Sequence, residues 1–275
     1  MSRIARVFCR RTSATPEDAL VFIDEPPPLF LPEIDEVHVS VTFSWDIKKA
    51  GMLCRQWEAV GVPVKIGGPA LNERSGEFTP GLYVKHGITI TSRGCPNNCW
   101  FCNVPKKEGE IRELEIKDGW NVFDDNLLAC SEDHIKAVFE MLKRQKERVT
   151  LTGGLEAKRL KPWHCEALRE IKPYSIYFAY DTPDDFEPLL QAGILLRDAG
   201  FTVKSHTMKC YVLVGYPGDS FNKAEIRLRH TIDAGFMPFA MLYREDSFNG
   251  DPRWIAFQHE WVNPMIVGTK MKDVW

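Results

Sequence analysis

No apolar run in this 275-residue chain approaches the ~20 residues that a bilayer-crossing helix requires, which argues against a membrane span. Nor is one sign of charge in surplus, since 35 basic and 38 acidic side chains leave a net charge of −3. That balance, with 44% hydrophobic residues, excludes charge-driven disorder and a strongly basic nucleic-acid surface, though not nucleic acid as a partner. The opening residues lack the apolar stretch of a secretory leader, so the expected compartment is the reducing cytoplasm. Arg3, Arg6, Arg10 and Arg11 stand without an acid there, a faint transit-peptide feature, but Ile4, Val7 and Phe8 read as a short strand with solvated arginines. Cysteines in close company are also few: Cys9, Cys54, Cys130, Cys165 and Cys210 are scattered singly, as small buried hydrophobes are.

The remaining three cysteines sit together in Cys95-Pro-Asn-Asn-Cys99-Trp-Phe-Cys102. Their C-x3-C-x2-C spacing can place three thiolates around one metal centre. Iron–sulfur clusters take thiolate ligands, normally four, and a set of three leaves one iron open, much as a catalytic zinc keeps one position free. Structural zinc is the competing occupant, but it is usually held by paired C-x2-C knuckles, and a fourth ligand would have to come from His86 or Cys130. A disulfide reading fails because three neighbouring cysteines cannot all pair.

This run resembles the cluster loop of the radical SAM (S-adenosyl-L-methionine) enzymes. Phe101 before the last cysteine, Arg93-Gly94 before the run and Asn103-Val104-Pro105 after it extend the resemblance. The family likeness implies a [4Fe-4S] cluster on Cys95, Cys99 and Cys102, with S-adenosyl-L-methionine on the open iron. It further implies reductive cleavage to a 5′-deoxyadenosyl radical that abstracts hydrogen from a small-molecule or nucleoside substrate. An electron donor such as flavodoxin or ferredoxin would then be a partner. Two other readings stay open: a zinc-stapled binding module, and a radical SAM scaffold that keeps a cluster without turnover.

Organisation along the chain agrees with an α/β protein. Glu25-Pro-Pro-Pro-Leu29 reads as a stiff linker. After it, Val37–Val41 reads as a strand, and Asp46 as the cap of a helix with Ile47, Ala50, Leu53 and Trp57 on one face. Gly61 stops that helix, and Pro63–Ile66 is a second strand ending in Gly67-Gly68-Pro69. This piece resembles the last β-α-β unit of the cobalamin-binding domain in one radical SAM branch. The Asp-x-His-x-x-Gly signature of that domain is absent, so His38 is expected to be a satisfied histidine and residues 1–85 a truncated accessory layer without cobalamin. From residue 86 to 244, strands at 88–93, 120–124, 149–153, 175–181, 209–216 and 238–244 alternate with apolar-striped helices. Six such units match a partial (β/α)6 TIM-like barrel. The crossover at 106–118 is charged, broken by Gly109, and expected to be loop. Residues 245–275 form a tail in which Trp254, Ile255, Phe257 and Trp261 make a helix that packs on the barrel.

In such barrels chemistry sits at the carboxyl ends of strands. The resemblance places Asp125 and Asn126, after the second strand, against the amino group of S-adenosyl-L-methionine. Gly153 and Gly154, in Gly153-Gly154-Leu155-Glu156, compete for that role from the third strand or form a plain glycine turn, and strand order decides for Asp125 and Asn126. Asp181 after the fourth corresponds to a ribose or methionine contact, Gly215 after the fifth to a turn against adenine, and Arg244 after the sixth to a grip on a carboxylate or phosphate. A salt bridge from Arg244 to Glu245 or Asp246 is the plainer alternative.

The cysteine assignment has a direct consequence. Replacing any one of Cys95, Cys99 or Cys102 by alanine is expected to abolish cluster retention, whereas alanine at Cys9, Cys54, Cys165 or Cys210 leaves iron content unchanged. Iron and sulfide analysis after anaerobic reconstitution reads this, and full loading of Cys99→Ala would remove the assignment.

Overall fold

The computed structural model describes residues 3–27, 31–71, 73–244 and 251–272. The chain divides into two compact units, Met1–Ile88 with Asn97–Gly109, and Thr89–Pro96 with Glu110–Trp275.

In the first unit, strands β1 (Ile4–Phe8), β2 (Val21–Ile23), β3 (Glu36–Ser40) and β4 (Val64–Gly67), with helix α1 (Ile47–Glu58), form a β2-β1-β3-β4 sheet. All its strand pairs are parallel. Alternation along the strands turns Ala5, Val7, Val37 and Val39 toward Ala50, Leu53 and Trp57 of α1, which makes this unit's core. Trp57 is fully buried, and its indole N–H is satisfied by the Asp24 carbonyl at 3.1 Å. Two sequence expectations are corrected here. Asp46 has helical dihedrals and caps nothing; its carboxylate takes two hydrogen bonds from Arg10, at 2.6 and 2.5 Å. Arg6 is not solvated but 7% exposed, donating to Asp18 and to the Leu82 carbonyl at 3.1 Å. A buried guanidinium needs such partners, and the coil at 81–83 supplies one of them. Of the expected proline linker, Pro28 and Leu29 lie outside the described residues.

The second unit is built on a six-stranded sheet. Its strands are β5 (Ile88–Thr89), β8 (Asn121–Val122), β9 (Thr150–Leu155), β10 (Ser175–Tyr180), β11 (Met208–Val214) and β12 (Met237–Leu242), adjacent in chain order. From β8 to β12 every pairing is parallel. Parallel neighbours need crossovers, and these are α3 (Glu132–Lys143), α4 (Pro162–Ile171), α5 (Phe186–Asp198) and α6 (Phe221–Asp233). Ser131 caps α3 by accepting from the His134 amide at 3.2 Å, and Ser220 caps α6 by accepting from Lys223 at 3.3 Å. The stripes Ile135, Val138, Phe139 and Leu142 on α3, and Ala224, Leu228, Thr231 and Ile232 on α6, are all buried. Gly193 is needed where α5 meets the end of α6, because a Cβ there would lie 2.0 Å from the Ala234 carbonyl oxygen.

Alternation splits the strands between two faces. Ile176, Phe178, Tyr180, Cys210, Val212 and Ala240 join the helices in one core. The opposite face carries Tyr177 stacked on Tyr211 at 4.6 Å and Phe239 edge-on to Tyr211 at 5.7 Å. Helices α7 (Pro252–Val262) and α8 (Pro264–Lys272) follow, with Trp254, Ile255, Phe257 and Trp261 packed into the helix-side core.

The first strand differs from its expected form. Residues 88–93 split into β5 and β6 (Ser92–Arg93), and β6 pairs antiparallel with β7 (Arg112–Glu113) in the crossover that reads as loop. The only helix there, α2 (Val104–Lys107), is a single turn and belongs to the first unit.

Gly153 tests the packing of β9 against the end of β8. An alanine Cβ would stand 2.1 Å from the Asp124 carbonyl oxygen, in backbone that cannot yield cheaply. Gly153→Ala is expected to lower stability by about 1–3 kcal/mol, as overpacking does, while Gly76→Ala, with open space around it, does not. Urea midpoints of the two variants check this, and equal midpoints would contradict it.

Candidate active site at the carboxyl edge of the second unit

Just past β8 come Asp124-Asp125-Asn126, and each of the three side chains takes hold of a different part of the arm leading to Cys95. Asp124 is 2% exposed and accepts from the Thr91 amide (2.6 Å), the Thr91 hydroxyl (2.6 Å) and the Ser92 hydroxyl (2.7 Å). Burial pushes its carboxyl up, and those donors oppose the shift. Asp125 accepts from the Gly94 amide at 2.9 Å and from Arg93 at 3.4 Å. Asn126, 3% exposed, directs its side-chain N–H at Cys95 Sγ, 3.3 Å away, and also donates to Glu156 Oε2 at 2.7 Å. Arg159 Nε holds the same Glu156 oxygen at 2.6 Å. The second and third strand ends, rivals in the sequence, are thus joined by a hydrogen bond between Asn126 and Glu156.

Gly153 and Gly154 differ in what they do. Gly153 lets β9 pass the Asp124 backbone, whereas Gly154, at φ +86°, has open space where a Cβ would be. Gly215, at φ +73°, packs against its own unit, since a Cβ would meet Leu242 at 2.6 Å and Trp254 at 3.1 Å. The turn that it opens is latched by Asp219, which accepts from the Gly215 amide at 2.9 Å and from buried Arg227 at 2.7 Å. Sequence reading missed this latch. Its signal was a cation at position 227, between Ala224 and Leu228 on a core-facing stripe, where burial demands a partner.

Asp181 lies just past β10, half-buried, with Oδ1 accepting from the Leu213 amide at 3.2 Å. Desolvation, with Asp185 second, pushes its carboxyl up to about 7, against the pull of the Leu213 N–H and Arg227. Arg244 follows β12 and is exposed; Glu245 and Asp246, its proposed partners, lie outside the described residues.

The cysteine loop crosses the boundary between the units. Cys95 belongs to the second; Cys99, Phe101 and Cys102 belong to the first. There the Cys102 amide donates to the Cys99 carbonyl at 3.0 Å, and Phe101 meets Trp100 edge-on at 5.4 Å. After the loop, Lys107 donates to the Pro69 carbonyl at 3.2 Å and buried Glu108 accepts from the Ser75 hydroxyl at 2.5 Å. All three cysteines are partly exposed. Among the described residues no three His, Cys, Asp or Glu side chains converge as a metal-holding group. The three cysteines have the thiol chemistry that an iron–sulfur cluster takes, but the structure does not gather them into a ligand set. Cys130 suits a zinc ligand poorly, since burial pushes its thiol up to about 12. His38 has both ring nitrogens engaged, with Tyr83 and with Glu36.

No family profile and no curated protein matches the chain. A solved structure does: the radical S-adenosylmethionine methyltransferase TsrM from Kitasatospora setae, determined with cobalamin and a [4Fe-4S] cluster bound. The similarity has a TM-score of 0.61 at 11% identity, and it covers 88% of this chain and 75% of TsrM. The second unit alone is too short for that coverage, so the likeness reaches into the first. The chain shares the fold of that structure over most of its length. Its likeness to TsrM is one of fold. Among the described residues no helix is long and apolar enough to cross a membrane.

The raised carboxyl of Asp181 sets a pH dependence. With a folded value above the unfolded one, the native state binds more protons between about pH 4 and 7, so this residue's contribution falls as pH rises through that window. Relative to Asp181→Asn, the wild type is expected to lose on the order of 1–2 kcal/mol between pH 5 and pH 8, allowing for partial exposure. Urea midpoints at the two pH values measure it, and a wild type that gained on the variant would refute the sign.

Proposed function

We propose that this protein is a radical SAM enzyme, binding a [4Fe-4S] cluster through Cys95, Cys99 and Cys102 and S-adenosyl-L-methionine beside it. The observation that carries the reading is the grip of Asp124, Asp125 and Asn126 on residues 91–95, in a chain with this fold. It ties a thiol-bearing loop to the carboxyl edge of a parallel sheet, where catalysis in barrel folds is concentrated. When bound, the cluster and S-adenosyl-L-methionine supply the radical chemistry, and the protein supplies position and exclusion of water.

This chain's own residues divide that work. Asp125 holds Gly94 and Arg93 in place, so the approach to Cys95 is set before any cofactor arrives. The face bearing Tyr177, Tyr211 and Phe239, two stacked rings with a third edge-on, offers an aromatic floor for a small-molecule or nucleoside substrate. Asp181 and Arg244, at the ends of β10 and β12 on either side of β11, supply a carboxyl and a cation to the same edge. A partial (β/α)6 barrel closed around that face is the architecture the reading uses. Supply of the electron falls to a donor of the flavodoxin or ferredoxin type, in the cytoplasm.

Anaerobic reconstitution with iron and sulfide tests the proposal. The expected product is a brown protein with broad absorption near ~400 nm that releases 5′-deoxyadenosine from S-adenosyl-L-methionine under reduction. A colourless zinc protein would replace the reading with a stapled module, and a brown protein inert toward S-adenosyl-L-methionine would reduce it to a scaffold. The same preparation is expected to retain no cobalamin; a stoichiometric micromolar complex, about −8 kcal/mol, would make the first unit a second cofactor domain.

A further inference from the structure

An asparagine amide is ambiguous end for end unless its surroundings decide it. At Asn126 they do. Glu156 is held by Arg159 and, as a carboxylate, can only accept, so the NH2 end of Asn126 must face it. The second hydrogen of that same NH2 group then points at Cys95 Sγ, 3.3 Å away. The carbonyl end is left buried without a hydrogen-bond partner. Packing gives no reason for that arrangement, because an apolar side chain would fill the site without an orphaned acceptor. The arrangement does serve a sulfur that carries negative charge, since an N–H donated to a thiolate draws electron density from it.

We propose that Asn126 is a positioning and tuning residue for the cluster, donating a hydrogen bond to the Cys95 sulfur in an orientation that Arg159 and Glu156 enforce. The inference rests on the radical SAM reading and adds to it a role for a residue that is no ligand. Hydrogen bonds to ligating sulfurs are among the factors that set iron–sulfur potentials, and groups behind a ligand tune the metal through it. Removing this one leaves Cys95 more electron-rich and makes the cluster harder to reduce.

The test is an EPR-monitored redox titration of the reconstituted full chain, with iron content measured beside it. Asn126→Ala is expected to keep wild-type iron and shift the midpoint potential to more negative values. Glu156→Gln, which can present either an acceptor or a donor to Asn126, is expected to shift it the same way by less. The double variant is expected to go no further than Asn126→Ala alone, because Glu156 acts through Asn126. Wild-type iron and unchanged potential in Asn126→Ala would overturn the proposal. Should that variant fail to load, an unchanged potential in Glu156→Gln overturns it equally, and a negative shift supports it. If the wild type itself takes up no iron and sulfide, the radical SAM reading has failed, and the role of Asn126 falls with it.

Discussion

Everything at the candidate site depends on one buried carboxylate. Asp124 stands at the end of β8 with almost no exposure, and a charge placed there is costly unless its oxygens are matched by donors. The matching donors are the Thr91 amide and the hydroxyls of Thr91 and Ser92. That requirement pulls the first strand out of line after Thr89 and turns it into β6, which is why a single run of strand-forming residues appears as two short pieces. Removing Asp124 would leave three donors without a buried acceptor, so the arm before Cys95 and the end of β8 stand or fall together.

Most of the second unit's framework was legible in the sequence, because apolar periodicity and capping chemistry agreed along it. Val138 and Phe139 repeat with Ile135 and Leu142 on a helix that opens at Ser131. Ile176, Phe178 and Tyr180 alternate on a strand that stops at Asp181. Where local and tertiary demands competed, the local signal misled. Asp46 has the chemistry of a helix cap, yet Arg10, 36 positions away, offers its carboxylate a bidentate partner instead. Arg6 reads as solvated, yet Asp18 and the Leu82 carbonyl satisfy it under cover.

The site was legible in a different way. Cys95, Cys99 and Cys102 announce themselves by spacing, and Asp125 and Asn126 by their place at a strand end. Hidden from any one-dimensional reading was which group each polar residue would meet. Asp124, Asp125 and Asn126 are consecutive, and only the approach of residues 91–95 separates their tasks. Glu156 looked like a competitor of Asn126 because both follow strands; the parallel pairing of β8 with β9 makes them neighbours and partners instead.

The same geometry recurs around the carboxyl edge. Backbone N–H groups near strand ends are met there by acids, which stitch neighbouring segments or close a turn. Asp124 accepts from Thr91, Asp181 from Leu213, and Asp219 from Gly215. These carboxylates differ in what compensates their charge. Glu156 has Arg159 and Lys158, and Asp219 has Arg227. Asp124 has no such cation among its hydrogen bonds, but it is sealed from solvent. Asp181 combines a neutral backbone donor, a like-charged neighbour in Asp185 and partial exposure, and its carboxyl is pushed up to about 7. Burial and partner choice thus give chemically similar acids along one edge different surroundings, and at both Asp124 and Asp181 desolvation is the largest influence and pushes the carboxyl up.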